Sequence, residues 1–96
     1  MDRQPCVYIV TNKRNGTLYV GVTSNLPGRI WQHKNKVVPG FTNEHKLDRL
    51  VWYEVHETME SAIQREKAVK YWKRYWKLKA IEEMNPDWRD LYEEII

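Results

Sequence analysis

The stretch that decides the fold runs out along Cys6-Val7-Tyr8-Ile9-Val10 and back along Leu18-Tyr19-Val20-Gly21-Val22. Both runs are short, apolar and rich in β-branched and aromatic residues, which reads as strand rather than helix. Asn12-Lys13-Arg14-Asn15-Gly16 stands between them, and its Asn-Gly pair is a strong hairpin-turn signal. Tyr8 and Tyr19 each sit mid-strand. Whether they share a face depends on the register, which stays open here, because a slip of one residue turns every side chain over.

Working outward, Ser24 or Asn25 can cap a helix over residues 26–36, with Pro27 tolerated in its first turn. Pro39-Gly40 breaks the chain, and residues 41–47 read as a polar loop. Leu50-Val51-Trp52-Tyr53-Glu54-Val55 is a third strand, and Thr58 can cap a second helix beginning near Met59. No Gly or Pro interrupts residues 59–84, yet the apolar phase changes within them. Met59, Ala62, Ile63 and Val69 share one helical face, whereas Trp72, Tyr75 and Trp76 point away from it. Two helices with a joint near residues 70–74 are therefore expected. Asn85-Pro86 stops the second, and Asp87 can cap a short final turn through Trp88, Leu91 and Tyr92. The expected class is α+β: a small three-stranded antiparallel sheet, hairpin plus one strand, packed with about three helices in the order ββαβαα.

Length and composition bound the functions. The 96 residues suit one domain spanning 1–96. Hydrophobic residues at 42% and charged residues at 30% indicate a globular rather than a disordered chain. No apolar run approaches the ~18 residues of a membrane span, and Met1-Asp2-Arg3-Gln4-Pro5 carries no signal-peptide pattern. The single cysteine, Cys6, excludes an intrachain disulfide framework and a cysteine-based zinc site. A reducing, cytoplasmic location is expected. Charge is uneven. Residues 82–96 hold six acidic residues against Arg89 alone, a local −5, so residues 1–81 carry +8 of the overall +3. A body with that surplus attracts polyanions, of which nucleic acid is the commonest large one.

Several charges fall where apolar residues belong. Leu26, Ile30 and Val37 define an apolar arc on the first helix, with His33 inside it and Arg29 beside it, one turn apart. Glu66 falls inside the arc of the second helix. Core-facing charge is tolerated only when paired or holding a metal. An Arg29–Glu66 clasp between helices would satisfy that rule without any site. Arg, His and Glu facing one core region, beside two mid-strand tyrosines, shift the balance towards a site. Between residues 70 and 79, five cations alternate with four aromatics. Such interleaving suits phosphate attraction plus base stacking, or else an aromatic core edged by solvated lysines.

In this constellation the chain resembles the GIY-YIG nuclease superfamily. Cys6-Val7-Tyr8 stands at the first motif, with Cys6-Val7 in place of Gly-Ile, and Tyr19-Val20-Gly21 stands at the second. Leu26-Pro27-Gly28-Arg29-Ile30-Trp31-Gln32-His33 resembles the family's Arg/His helix, and Ala62-Ile63-Gln64-Arg65-Glu66-Lys67 its Glu helix. The similarity is greatest to short stand-alone bacterial proteins resembling the N-terminal nuclease domain of the excision-repair nuclease C subunit. Larger members place a late Asn near the site; Asn85 is either that residue or a helix stop.

The resemblance implies an endonuclease that hydrolyses phosphodiester bonds in DNA, in repair or processing, with one divalent metal, Mg²⁺ or Mn²⁺. Tyr8, Tyr19, Arg29, His33 and Glu66 would be the catalytic set, with Glu66 as the only protein ligand of the metal. Arg29 would bind the phosphate through its donor fork. The base is either Tyr8, assisted by His33 or Tyr19, or His33 with the tyrosines orienting water. Gly21 would let backbone approach the site. Lys34, Lys36, Lys70, Lys73, Arg74 and Lys77 are the expected nucleic-acid contacts. The rival expectations are a non-catalytic nucleic-acid-binding module that keeps the fold, and a protein-interaction module using the acidic tail and exposed aromatics.

Overall fold

Alternation along β1 (Cys6–Thr11) sends Cys6, Tyr8 and Val10 to one side of the sheet and Val7 and Ile9 to the other, and both sets are buried. A strand buried on both faces must be central. In the computed structural model, which describes residues 3–37 and 40–96, β1 lies between β2 (Leu18–Thr23) and β3 (Arg49–Val55). Both neighbours pair with it antiparallel, giving the order β2-β1-β3. Met1, Asp2, Val38 and Pro39 lie outside the described residues, and with them the start of the N-terminal segment and half of the expected Pro39-Gly40 break.

The hairpin closes through residues 12–17 rather than through a two-residue Asn-Gly turn. Asn15 takes the left-handed conformation (φ 57°), which Asn tolerates. The Thr11 hydroxyl donates to the Thr17 carbonyl at 2.7 Å, and the Thr17 amide donates to Asn12 Oδ1 at 3.1 Å. On the other side of β1, the register skips Val51: Ile9 faces Trp52 and Val10 faces Leu50. That bulge places the consecutive residues Val51 and Trp52 in the same core while Leu50 joins the opposite one.

Three long helices keep the expected order. Asn25 caps α1 (Leu26–Lys34) by accepting from the Gly28 amide at 3.2 Å. The helix ends two residues before the expected 36, and Lys36 turns left-handed (φ 57°). Thr58 caps α3 (Met59–Tyr71) through the Ser61 amide. Extended backbone at Trp72 and Lys73 forms the expected joint before α4 (Arg74–Met84). Two four-residue helices add to the expected set. The first, α2 (Phe41–Glu44), occupies part of what reads as a polar loop, and Leu47 after it is buried. The second, α5 (Tyr92–Ile95), starts from Leu91 rather than from a turn capped by Asp87. Asp90 supplies the local cap instead, accepting from the amides of Tyr92 and Leu50.

The helices cover both faces. Ala62 and Val69 of α3, Ile81 of α4, and Trp88 bury against Val7, Ile9 and Val20. Ile63, expected on the same face, is 38% exposed, so that contact falls to Ala62 and Val69. Leu26 and Ile30 of α1, with Leu91, bury against Tyr8, Val10 and Leu50 on the other face. Burying each large apolar side chain contributes about 1.5–3 kcal/mol.

Asn85 belongs to this framework. Its side chain is buried and donates to the carbonyls of Val51 (3.3 Å) and Arg89 (2.8 Å), while its Oδ1 accepts from the Arg89 amide (3.0 Å). It fastens the C-terminal segment to β3. Asn85→Ala strands buried polar groups and is expected to cost about 2–3 kcal/mol, measured by urea unfolding. A loss below about 0.5 kcal/mol would contradict the structural role.

Candidate active site

Tyr8 pairs with Gly21 across the hairpin. Tyr19 lies two residues before Gly21, so both tyrosines project from the same face. Their ring centroids are 6.5 Å apart. Helix α1 lies over this face and brings His33 between them, with centroids 5.7 Å from Tyr8 and 6.0 Å from Tyr19. The Tyr8 hydroxyl and His33 Nε2 share a hydrogen bond of 3.0 Å. Gly21 makes room for this arrangement. A Cβ there would sit 2.8 Å from Tyr8 Cε1 and closer still to Cζ and the hydroxyl. The phenol end of Tyr8 therefore lies across Gly21, over the edge strand β2.

Glu66 arrives from the other layer. Ala62, Glu66 and Val69 form one stripe along α3, and that helix packs against β2 and β1 on the face opposite the tyrosines. Arg65 ties α3 to β3 through a two-pronged contact with Glu54 (3.0 and 3.3 Å). Glu66, one residue and about 100° further round, is turned away from that anchor. Its side chain is only 14% exposed, and its ion pair among the described residues is a loose one with Lys70 at 3.9 Å. Its charge acts on Tyr8. Arg29, one turn before His33, acts on both Tyr8 and His33. The Arg29–Glu66 clasp does not form, and the Arg29 side chain makes no hydrogen bond or ion pair among the described residues.

Burial sets the protonation of the pair. It pushes the Tyr8 phenol well above its ordinary value, Tyr19 and Glu66 push the same way, and Arg29 opposes them. Tyr8 therefore rests as the neutral phenol. Burial and the Arg29 charge pull His33 down to about 4, against the opposing pull of Asp48. The ring is neutral at pH 7, and its Nδ1 is buried without a hydrogen-bond partner among the described residues. No group of three or more His, Cys, Asp or Glu side chains is placed to hold a metal among the described residues, and the carboxylate whose charge acts on Tyr8 is that of Glu66.

The expected nucleic-acid contacts separate. Lys34 is drawn inward: it pairs with the Asp90 carboxylate, donates to the Asp48 carbonyl and lies over the Tyr92 ring. Arg74 is spent on the hairpin turn, donating to the carbonyls of Asn15 and Gly16. Lys77 donates to the Lys70 carbonyl, and Lys36, Lys70 and Lys73 are exposed. Of the aromatics between residues 70 and 79, Trp72 is partly buried beneath Arg65, whereas Tyr71 (84%) and Trp76 (54%) are exposed. Sequence reasoning missed Asp48 and Asp90. Both act through long-range contacts that leave no local pattern.

Residues 4–79 match the family model described as the GIY-YIG catalytic domain. A UPF0213 protein of Staphylococcus saprophyticus is 35% identical over 77 residues, 80% of this chain and 93% of that one. A UPF0213 protein of Staphylococcus haemolyticus is 38% identical over the same coverage. The solution structure of a UPF0213 protein from Bacillus halodurans aligns with a TM-score of 0.57 and 25% identity, covering 91% of this chain and 92% of the other.

The depressed pKa of His33 makes stability depend on pH. In the unfolded chain His33 takes a proton near its ordinary 6.5, but in the fold it does so only near 4. The unfolded state thus binds more protons between these values, and stability falls as pH drops from about 6.5 towards 4. Urea midpoints at pH 7 and pH 4.5 should drop more for the parent than for His33→Gln. Equal drops would contradict the assignment.

Proposed function

The chain belongs to the GIY-YIG family, and on that premise we propose that it is a metal-dependent endonuclease hydrolysing phosphodiester bonds in DNA, in repair or processing. One observation carries the reading. Arg29 and Glu66, both partly shielded from solvent, bear on the Tyr8 hydroxyl, yet neither neutralises the other. A guanidinium with no side-chain partner among the described residues and a carboxylate held only loosely by Lys70, both beside a buried phenol, are costly in an idle fold and suit a site that takes a phosphate and a metal.

The donor set fits a hard divalent cation. A lone carboxylate suits Mg²⁺ or Mn²⁺, which keep several waters and take phosphate oxygens, and does not suit Zn²⁺, which wants several N or S ligands. Glu66 would hold the ion, which when bound polarises the scissile phosphate and stabilises the leaving oxygen. Arg29 offers its planar fork to the non-bridging oxygens of the phosphate. Tyr8 rests protonated, so the base is the Tyr8–His33 pair rather than a standing phenolate. The Tyr8 oxygen takes a proton from the attacking water while its own proton passes to His33 Nε2. Burial chiefly depresses His33, and Arg29 adds to it; a bound phosphate that shares the Arg29 charge would relieve that second part and favour the transfer. Tyr19, on the same face, orients the water. The second reading, a binding module without cleavage, is favoured by Tyr71 and Trp76 standing exposed among Lys70, Lys73 and Lys79.

Two variants separate the roles. Glu66→Gln keeps the shape and removes the charge, so cleavage should fall about a hundredfold or more, and the rise in Tm on adding Mn²⁺ should vanish. Arg29→Ala should lose cleavage comparably while keeping the Mn²⁺-induced rise. Parent-like cleavage by Glu66→Gln contradicts the single-metal nuclease. A parent that binds DNA but neither cleaves it nor responds to metal leaves the binding module.

A further inference from the structure

Beyond the tyrosines, Arg29 also lines a cleft of about 510 Å³ between the end of β2, one flank of α1 and the start of α3. Arg3 lies over the end of β2, with its guanidinium 3.4 Å from Ser24 Oγ. Gln32 and the Ser24 hydroxyl line the wall, Met59 closes the α3 side, and Trp31 forms the rim. The lining holds two guanidiniums and no carboxylate. Trp31 is 51% exposed, an unusual place for the largest apolar side chain on a nine-residue helix. The core gains little from it there.

The cleft meets the candidate active site at Arg29. Arg29 belongs to both. Met59 and Glu66 are seven residues apart on α3, two turns along nearly the same stripe, or about 10 Å of helix rise. A strand whose phosphate sits at Arg29 and Glu66 would meet the cleft with its neighbouring nucleotide. That nucleotide offers what the lining lacks: a negative phosphate for Arg3 and a flat π-face for Trp31.

The geometry points to this cleft as a subsite for the nucleotide adjacent to the scissile phosphate, with Arg3 binding the next phosphate and Trp31 stacking on an unpaired base. The inference rests on the nuclease reading and extends it to residues that reading does not use. A free anion would need Arg3 and Arg29 but not Trp31. A nucleotide uses all three.

Binding in EDTA tests the subsite apart from cleavage. The probe is a fluorescein-labelled 12-nucleotide single-stranded DNA, compared with the same strand made abasic throughout. Trp31→Ala should weaken binding of the normal strand about tenfold, the scale of one stacked base, and of the abasic strand less than twofold. Trp31→Phe should restore most of the loss. Arg3→Ala should weaken both strands and reduce the slope of log affinity against log salt by about 0.7, one contact on a single strand. Equal effects of Trp31→Ala on both strands, an unchanged salt slope for Arg3→Ala, or no binding by the parent would overturn the subsite. Trp31 is exposed on its helix, so its replacement leaves the fold intact, which the Tm confirms. Cleavage of the normal strand in Mn²⁺ is scored separately. A parent that binds through Trp31 without cutting defeats only the nuclease reading. A parent that cuts while Trp31→Ala binds normally defeats only the subsite.

Discussion

Everything in the site depends on the phenol ring of Tyr8 lying across Gly21. The antiparallel register sets the two residues opposite one another, and the absence of a Cβ at 21 lets the ring lean over the edge strand rather than stand upright in the core. Its hydroxyl thereby reaches over the edge strand β2. Helix α1 approaches from the tyrosine face with His33 and Arg29, and α3 approaches from the opposite face with Glu66. A bulkier residue at 21 would push the hydroxyl away from His33 and from the influence of Glu66. The sheet edge, not a pocket within one core, is what assembles the candidate site.

The electrostatics follow from that position. Tyr8 and His33 are buried deeply enough to stay neutral, and each keeps the other hydrogen-bonded. Arg29 and Glu66 lie at the margin of this buried pair, each partly shielded from solvent. The fold thus sets neutral proton-handling groups beside a partly shielded arginine and a glutamate paired only loosely with Lys70. Structural ion pairs lie elsewhere: Arg65 with Glu54 orients α3, and Lys34 with Asp90 fastens the C-terminal segment to α1.

Much of this was legible before the structure. The hairpin, the third strand and the joint between α3 and α4 follow from β-branched runs and from the change of apolar phase after Val69. His33 and Glu66 stood out because periodicity assigns their positions to core, Arg29 because it borders the same arc, and Tyr8 and Tyr19 through their mid-strand places and the resemblance to the GIY-YIG motifs. Less legible were features set by distant contacts. Residues 41–47 look polar, yet Leu47 closes the α1-side core and a helical turn precedes it. Asn85 reads equally as a helix stop or as a site residue, and only its bonds to Val51 and Arg89 make it part of the framework. Lys34 reads as a free cation until Asp90, 56 residues away, is seen to hold it.

The proposed metal would be held beside Tyr8 by Glu66, although Glu66 is carried on the opposite layer. Paramagnetic broadening by Mn²⁺ in the ¹H–¹⁵N spectrum tests it directly. The account predicts that substoichiometric Mn²⁺ broadens resonances around Glu66, Tyr8 and Tyr19, and that Glu66→Gln abolishes the effect. Broadening centred on the acidic residues between 82 and 94, unchanged by Glu66→Gln, would contradict it.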